Sequence, residues 1–223
     1  MNKGEKLSLF KDYNLYCLTC EDYSLGRRNI DVVREILNAG VRIIQYREKK
    51  KTMREKYQEA KKIRELTAQY NALLIINDHL DLAKIVEADG VHIGQEDYPI
   101  EVAKEYLGDE FIIGLTTHTK TQVIEAFQKG ADYIGLGPIF PSYTKEKPHP
   151  PIGLEIIEWA VNHVHIPIVA IGGIKESNIY EVLKHGAKCI AMVTEIVSSQ
   201  DIYEKTKNII RILEGYKNGK NLA

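Results

Sequence analysis

Eight short apolar runs alternating with helical patterns predict a single-domain (β/α)8 TIM barrel of the α/β class. Three observations carry that expectation. The length, 223 residues, suits one such barrel, which takes roughly 200 to 250 residues. A helix-to-strand signal recurs as Asn38-Ala-Gly-Val-Arg-Ile-Ile44, Ala88-Asp-Gly-Val-His-Ile93, Gly130-Ala-Asp-Tyr-Ile-Gly135 and Gly186-Ala-Lys-Cys-Ile-Ala191, with glycine closing the helix in the left-handed conformation it tolerates. The strand candidates are nearly continuous apolar runs, as parallel strands covered by helices should be.

Taken in order, the strands fall near 14–18, 41–46, 73–76, 89–93, 111–115, 132–136, 167–171 and 188–193. Helical patterns fill most gaps. The clearest spans 53–69, where Thr52-Met-Arg-Glu55 reads as a capping box and Met53, Tyr57, Ala60, Ile63 and Thr67 share one face. Thr119-Lys-Thr-Gln122 predicts a second capping box, and the last helix covers about 201–214. No GxGxxG turn follows the first strand, which argues against an open dinucleotide-binding sheet. No composition shift marks a second domain, so residues 1–223 form one unit with about ten expendable residues at each end.

Composition excludes several classes. Hydrophobic residues make up 44% and charged residues 27%, enough for a buried core and against disorder. A net charge of −1 provides no cation excess for displacing counterions from a nucleic acid. No apolar stretch approaches membrane-spanning length and the N-terminus has no apolar signal region, so a cytoplasmic protein with no membrane partner is expected. Three cysteines suit a reducing compartment. Cys17-Leu-Thr-Cys20 has redox spacing but lies in a strand, without a second pair or a nearby histidine, and reads as structural.

In a barrel of this kind the active site lies at the C-terminal ends of the strands, and polar clusters stand there. Gln45-Tyr-Arg-Glu-Lys49 follows the second strand; alternation puts Gln45, Arg47 and Lys49 on one face, with Tyr46 and Glu48 on the other. An amide and two cations suit a heteroatom ring and a phosphate. Asn77 and Asp78 follow the third strand, and His92 and Asp97 the fourth. Asp78 and Asp97 can share a Mg²⁺ ion, although Asp78 can instead cap the next helix. Strand five ends in Thr116-Thr-His118. After strand six, Gly137-Pro-Ile-Phe-Pro-Ser-Tyr-Thr-Lys145 cannot continue as strand or helix, and it presents Ser142, Thr144 and Lys145. Gly172-Gly173 and Val193-Thr194 leave backbone N–H groups open after strands seven and eight, where barrels often hold phosphate. The mouth thus reads as two anion sites, one cationic and one built from backbone.

In order, Gln45–Lys49, Asn77-Asp78, His92–Asp97, Thr117–Thr119, Gly137–Pro141, Thr144-Lys145 and Gly172–Ile174 resemble the thiamine-phosphate synthase family over roughly residues 41–195. The resemblance implies condensation of 4-amino-2-methyl-5-hydroxymethylpyrimidine diphosphate with 4-methyl-5-hydroxyethylthiazole phosphate by a dissociative, magnesium-assisted route. It implies Asp78 and Asp97 as Mg²⁺ ligands. Gln45, Arg47, Lys49, Asn77, Thr116 and Lys145 are then pyrimidine diphosphate contacts, and Tyr46, Glu48 and Tyr143 are also expected to contact substrate. Ser142, Thr144, Gly173, Val193 and Thr194 are thiazole phosphate contacts. Arg47, Lys49 and Lys145 carry the catalytic charge. Thr116, Ser142 and Thr194 exchange one hydroxyl residue for another relative to the usual pattern, His79 replaces a frequent arginine, and Glu146-Lys147 replaces a more usual Lys-Asp.

A thiazole tautomerase of the same barrel type would need His118 and the backbone cradle but not the cationic half. A non-catalytic precursor-binding protein would have little reason to keep the paired aspartates, and a phosphosugar barrel would need the cradle alone. The resemblance is compatible with a homodimer, for which the residues hold no interface signature. Segments 47–52 and 140–150 are the candidates for closing over substrate.

Overall fold

The computed structural model describes residues 1–142 and 149–219. Its strands are β1 (Leu15–Leu18), β2 (Ile43–Tyr46), β3 (Leu73–Asn77), β4 (Gly90–Ile93), β5 (Ile112–Thr117), β6 (Tyr133–Leu136), β7 (Ile168–Ile171) and β8 (Cys189–Met192). All pair in parallel, and β8 returns to β1 through Leu15 opposite Ile190, closing the barrel in chain order. All eight strands predicted from sequence are present.

The helices are α1 (Lys3–Asp12), α2 (Asn29–Asn38), α3 (Met53–Gln69), α4 (Leu80–Ile85), α5 (Ile100–Leu107), α6 (Lys120–Gln128), α7 (Glu155–His163), α8 (Ile179–Lys184), α9 (Thr194–Val197) and α10 (Ile202–Lys217). Each strand is two-sided. Outward residues such as Ile44, Leu74, Ile76 and Ile134 join the helices in a large apolar layer, whereas Tyr16, Ile43, Leu73, Ile75 and Tyr133 fill the barrel interior. That division explains the lack of polar alternation along the strands.

The Thr52 capping box forms in full, with Glu55 reaching back to the Thr52 N–H. At Thr119 only half forms: its side chain accepts from Gln122 N, while Gln122 Oε1 accepts from His118 N. The buried stripe of α3 is Lys56, Ala60, Ile63, Leu66 and Thr67, and Met53 and Tyr57 lie at its exposed margin. The expectation for that face is therefore corrected by about one turn's edge, because the long Lys56 stem packs inward.

The first ten residues also need correction. They are not a loose extension: α1 closes the N-terminal end of the barrel and buries Phe10 to 2% exposure. The Phe10 ring lies 4.6 Å from that of Tyr133. Lys6 and Lys3 reach Asp89 and Asp132 at 3.6 and 2.9 Å. Each aspartate precedes a strand and accepts a neighbouring strand's first free N–H, from Leu74 and Ile113 respectively. The α1 pattern is weakly amphipathic, so little in its sequence advertises this docking.

Candidate active site

The cavity opens at the C-terminal ends of the strands and is lined by Gln45, Arg47, Asn77, Thr116, Ser142 and Val193, among others. Alternation along the β2 end holds for Gln45 and Arg47, but the exposed Lys49 does not join them in lining the cavity. Gln45 and Arg47 face the cavity, whereas Tyr46 turns outward and its hydroxyl donates to Glu59 Oε2 at 2.7 Å. Glu48 accepts from Asn29 Nδ2 and from the backbone N–H groups of Lys49 and Lys50. The side chains of Tyr46 and Glu48 thus correct the substrate-contact expectation: opposite parity sends both toward the helix layer, where they brace the loop.

Lys51 completes that brace, with its ammonium 2.6 Å from Glu21 and 2.9 Å from Glu59. Glu21, Glu48 and Glu59 form a cluster of metal-ligating type, within which the Lys51 ammonium pairs with Glu21 and Glu59. Segment 47–52 is consequently pinned at several points. Arg47 is anchored through its backbone, since its N–H donates to Thr19 Oγ1 and its carbonyl accepts from the same hydroxyl. Its guanidinium lies 4.0 Å from Cys20 Sγ. Cys17, Cys20 and Cys189 are all free thiols, and burial pushes each one's pKa up. Buried thiols held in the protonated form suit packing rather than nucleophilic chemistry.

At the end of β3, Asp78 has a positive φ of 62°, unusual for a residue with a side chain. It does not cap α4. The cap position belongs to His79, which makes no side-chain cap bond. Burial, followed by the neighbouring Asp97 carboxylate, pushes Asp78 up from 3.8 to about 6, while Lys49 and Arg47 pull the other way. Asp97 therefore stands beside Asp78, with the charges of Lys49 and Arg47 near enough to act on the pair. Asp97 is held by the Gly94 N–H at 2.6 Å. His79 turns away to Lys56, its Nε2 3.0 Å from the ammonium, and burial and that cation lower its pKa.

The opposite side of the mouth is made of backbone. Ile139 N–H and Phe140 N–H donate to Ile171 and Gly172 carbonyls at 2.9 and 3.0 Å, zipping the loop after β6 to the loop after β7. Here glycine is required. A Cβ on Gly172 would fall 2.4 Å from Pro138, and one on Gly173 would fall 2.5 Å from the Pro141 carbonyl. Both glycines also have positive φ. Val193 lines the cavity and Thr194 opens the short α9. Tyr143, Thr144, Lys145, Glu146 and Lys147 lie outside the described residues. Of the predicted residues among those described, Gln45, Arg47, Asn77, Thr116, Ser142 and Val193 line the cavity, whereas Gly173 and Thr194 only adjoin the lining residues Gly172 and Val193, and Lys49, Asp78 and Asp97 lie outside the lining.

Sequence reasoning missed Tyr16, Tyr133 and His149, and gave His92 no more than a position. Tyr16, His92 and Tyr133 line the cavity from strands that read as apolar. Gly114 was the available signal: a Cβ there would fall 2.1 Å from Tyr133 Cζ, and a glycine inside a strand marks such a close approach. His149 stacks on His118 with ring centres 4.3 Å apart, and His118 Nδ1 bonds the Gly137 carbonyl.

An eight-stranded barrel with paired carboxylates, cations and a glycine turn at its mouth is an enzyme scaffold for small molecules. Similarity to known proteins makes the class particular. The family model described as thiamine monophosphate synthase matches residues 15–196. The thiamine-phosphate synthase of Dictyoglomus turgidum is 80% identical over the whole of both chains. That of Caldicellulosiruptor saccharolyticus is 59% identical, covering 97% of this chain and 98% of its own. The solved thiamine phosphate pyrophosphorylase from Pyrococcus furiosus superposes with a TM-score of 0.85 at 39% identity, covering 92% of this chain and 98% of that one. The chain belongs to the thiamine monophosphate synthase family and is a transferase of thiamine biosynthesis. No helix among the described residues is long and apolar enough to cross a membrane.

Proposed function

We propose that this chain joins 4-amino-2-methyl-5-hydroxymethylpyrimidine diphosphate to 4-methyl-5-hydroxyethylthiazole phosphate, releasing thiamine phosphate and diphosphate. One observation carries the reading: Asp78 pairs with Asp97 within the field of Lys49 and Arg47 on the β2–β4 side, opposite the Gly172-Gly173 turn after β7. A single mouth thereby offers one charged and one backbone anion site.

Asp78 and Asp97 fit a divalent cation. They are hard oxygen donors, and their mutual repulsion and partial burial are unfavourable without positive charge between them. They would hold Mg²⁺, which supplies charge against the departing diphosphate. Gln45 and Asn77 orient the pyrimidine, and Thr116 gives a hydroxyl beside it. Arg47 and Lys49, joined by Lys145, take up charge on the diphosphate oxygens as the methylene C–O bond breaks and its electron pair leaves with the diphosphate. The ring amine delocalises the resulting carbocation. Ser142, Thr144, Gly173, Val193 and Thr194 hold the thiazole phosphate, whose ring nitrogen then forms the new C–N bond. No general base is required.

The test supplies purified protein with both precursors, with and without Mg²⁺, and quantifies thiamine phosphate and diphosphate. Equal amounts of both, dependent on Mg²⁺, are expected. Folded protein that makes neither product sinks the reading, and isomerisation of a carboxylated thiazole precursor replaces it with the tautomerase.

A further inference from the structure

Five polar side chains cross the barrel interior in one unbroken line. Gln45 Nε2 donates to Tyr16 Oη at 2.8 Å, and the Tyr16 and Tyr133 hydroxyls lie 2.9 Å apart. Tyr133 Oη is 3.0 Å from His92 Nδ1, and His92 Nε2 is 2.8 Å from Thr116 Oγ1. All five line the cavity, from β2, β1, β6, β4 and β5. Tyr16 and Tyr133 are 1% and 0% exposed. Burial pushes both phenols far above their ordinary range, so each keeps its proton.

A hydroxyl has one proton to give. With Gln45 donating to Tyr16, Tyr16 donates to Tyr133 and Tyr133 donates to His92 Nδ1. A neutral imidazole then carries its proton on Nε2 and donates to Thr116. Two groups are left over: Gln45 Oε1, an acceptor, and the Thr116 hydroxyl proton, a donor. Neither has a further hydrogen bond among the described residues. Turning the Gln45 amide over reverses every link and exchanges both roles. The line therefore has two polarities, and neighbouring bonds in a buried chain reinforce one another.

We propose that Tyr16, Tyr133 and His92 are positioning residues that set substrate specificity, their hydrogen-bond line fixing the Gln45 carbonyl as an acceptor that selects a pyrimidine bearing an exocyclic amine over its oxo counterpart. The proposal rests on the pyrimidine diphosphate reading above. An amine donates to Gln45 Oε1, whereas an oxo group sets lone pair against lone pair in a buried site, a mismatch that discriminates strongly. At the other end, a donor hydroxyl on Thr116 suits the acceptor-only oxygens of a diphosphate.

The experiment compares kcat/KM for the amino and oxo pyrimidine diphosphates in the parent, Tyr133→Phe and Tyr16→Phe, with thiazole phosphate saturating. Separately, ¹⁵N NMR of histidine-labelled parent without substrate reads the His92 tautomer, assigned by its loss in His92→Gln. The parent should prefer the amine by at least about 100-fold. Each phenylalanine variant should narrow that preference at least about tenfold and leave the KM for thiazole phosphate unchanged. His92 should carry its proton on Nε2. A parent His92 protonated on Nδ1 alone overturns the proposal, as does an undiminished preference in folded Phe variants. A parent that cannot turn over the amino substrate sinks the functional reading, and the tautomer still judges the line.

Discussion

The two ends of the barrel treat their carboxylates in opposite ways. At the N-terminal floor, Asp89 is 2% exposed and fully matched: Arg64 at 2.9 Å, Lys6 at 3.6 Å and the Leu74 N–H at 2.9 Å. At the C-terminal mouth, Asp78 faces another carboxylate and is held in a left-handed backbone conformation. Left-handed non-glycine residues occur at both ends, Asn71 and Glu87 beside the floor and Asp78 at the mouth, so what sets the mouth apart is a partly buried carboxylate facing a like charge. Departures from local consistency concentrate where a protein binds something. The floor is consequently built for stability and the mouth for a ligand.

Substitution separates the two ends most sharply. Asp78→Asn should lower thiamine phosphate formation by about 10²–10³-fold, the range for removing one preorganised electrostatic contact. Its melting temperature without divalent cation should stay level or rise, because like-charge repulsion is relieved. Asp89→Asn should do the reverse. Breaking a buried ion pair costs about 3–5 kcal/mol of stability, while kcat per folded molecule is retained. Denaturant unfolding and steady-state kinetics on the same two preparations measure both. A mouth variant that unfolds the protein, or a floor variant that silences it without unfolding it, removes the distinction.

Phe10→Ala probes the floor through packing. Removing this side chain from beside Tyr16 and Tyr133 should cost about 3 kcal/mol, the low end for buried phenylalanine because α1 can settle into part of the space. Chemical denaturation reads the loss. No change in stability would return α1 to the status of a dispensable extension.

The same asymmetry governs what could be read in the sequence. Strand positions were legible because each is an apolar run, and left-handed Gly40, Gly130 and Gly186 mark the helix ends before β2, β6 and β8; before β4 it is Glu87 that takes this conformation, and Gly90 opens the strand instead. The mouth was legible because Gln45, Arg47, Asn77, Asp78 and Asp97 are polar residues where an apolar run stops. The α1 plug was not: its single buried aromatic, Phe10, sits among Lys3, Lys6 and Asp12 and reads as a solvated terminus. The Tyr16–Tyr133 link was hidden for another reason. Tyrosine fits a buried strand as an apolar residue, and only closure of the barrel brings β1 and β6 hydroxyls to 2.9 Å. Parity could have excluded Tyr46 and Glu48 as side-chain contacts from the start, since they alternate with the cavity-facing Gln45 and Arg47.

The smallest expected effect tests the mouth's charge imbalance directly. Burial and Asp97 raise Asp78 from 3.8 to about 6, so folding favours its protonated form. In cation-free protein that contribution is fully present below about pH 4 and is lost as pH rises through about 6. Allowing for partial exposure, the loss is about 2 kcal/mol. A divalent cation held by both carboxylates offsets the repulsion only where the protons have gone. Added Mg²⁺ should therefore raise the melting temperature more at pH 7.5 than at pH 5, by several degrees, and should do so at neither pH in Asp78→Asn. Equal stabilisation at both pH values, or stabilisation that survives in Asp78→Asn, would mean that the cation binds elsewhere and that the carboxylate pair is strained for some other ligand.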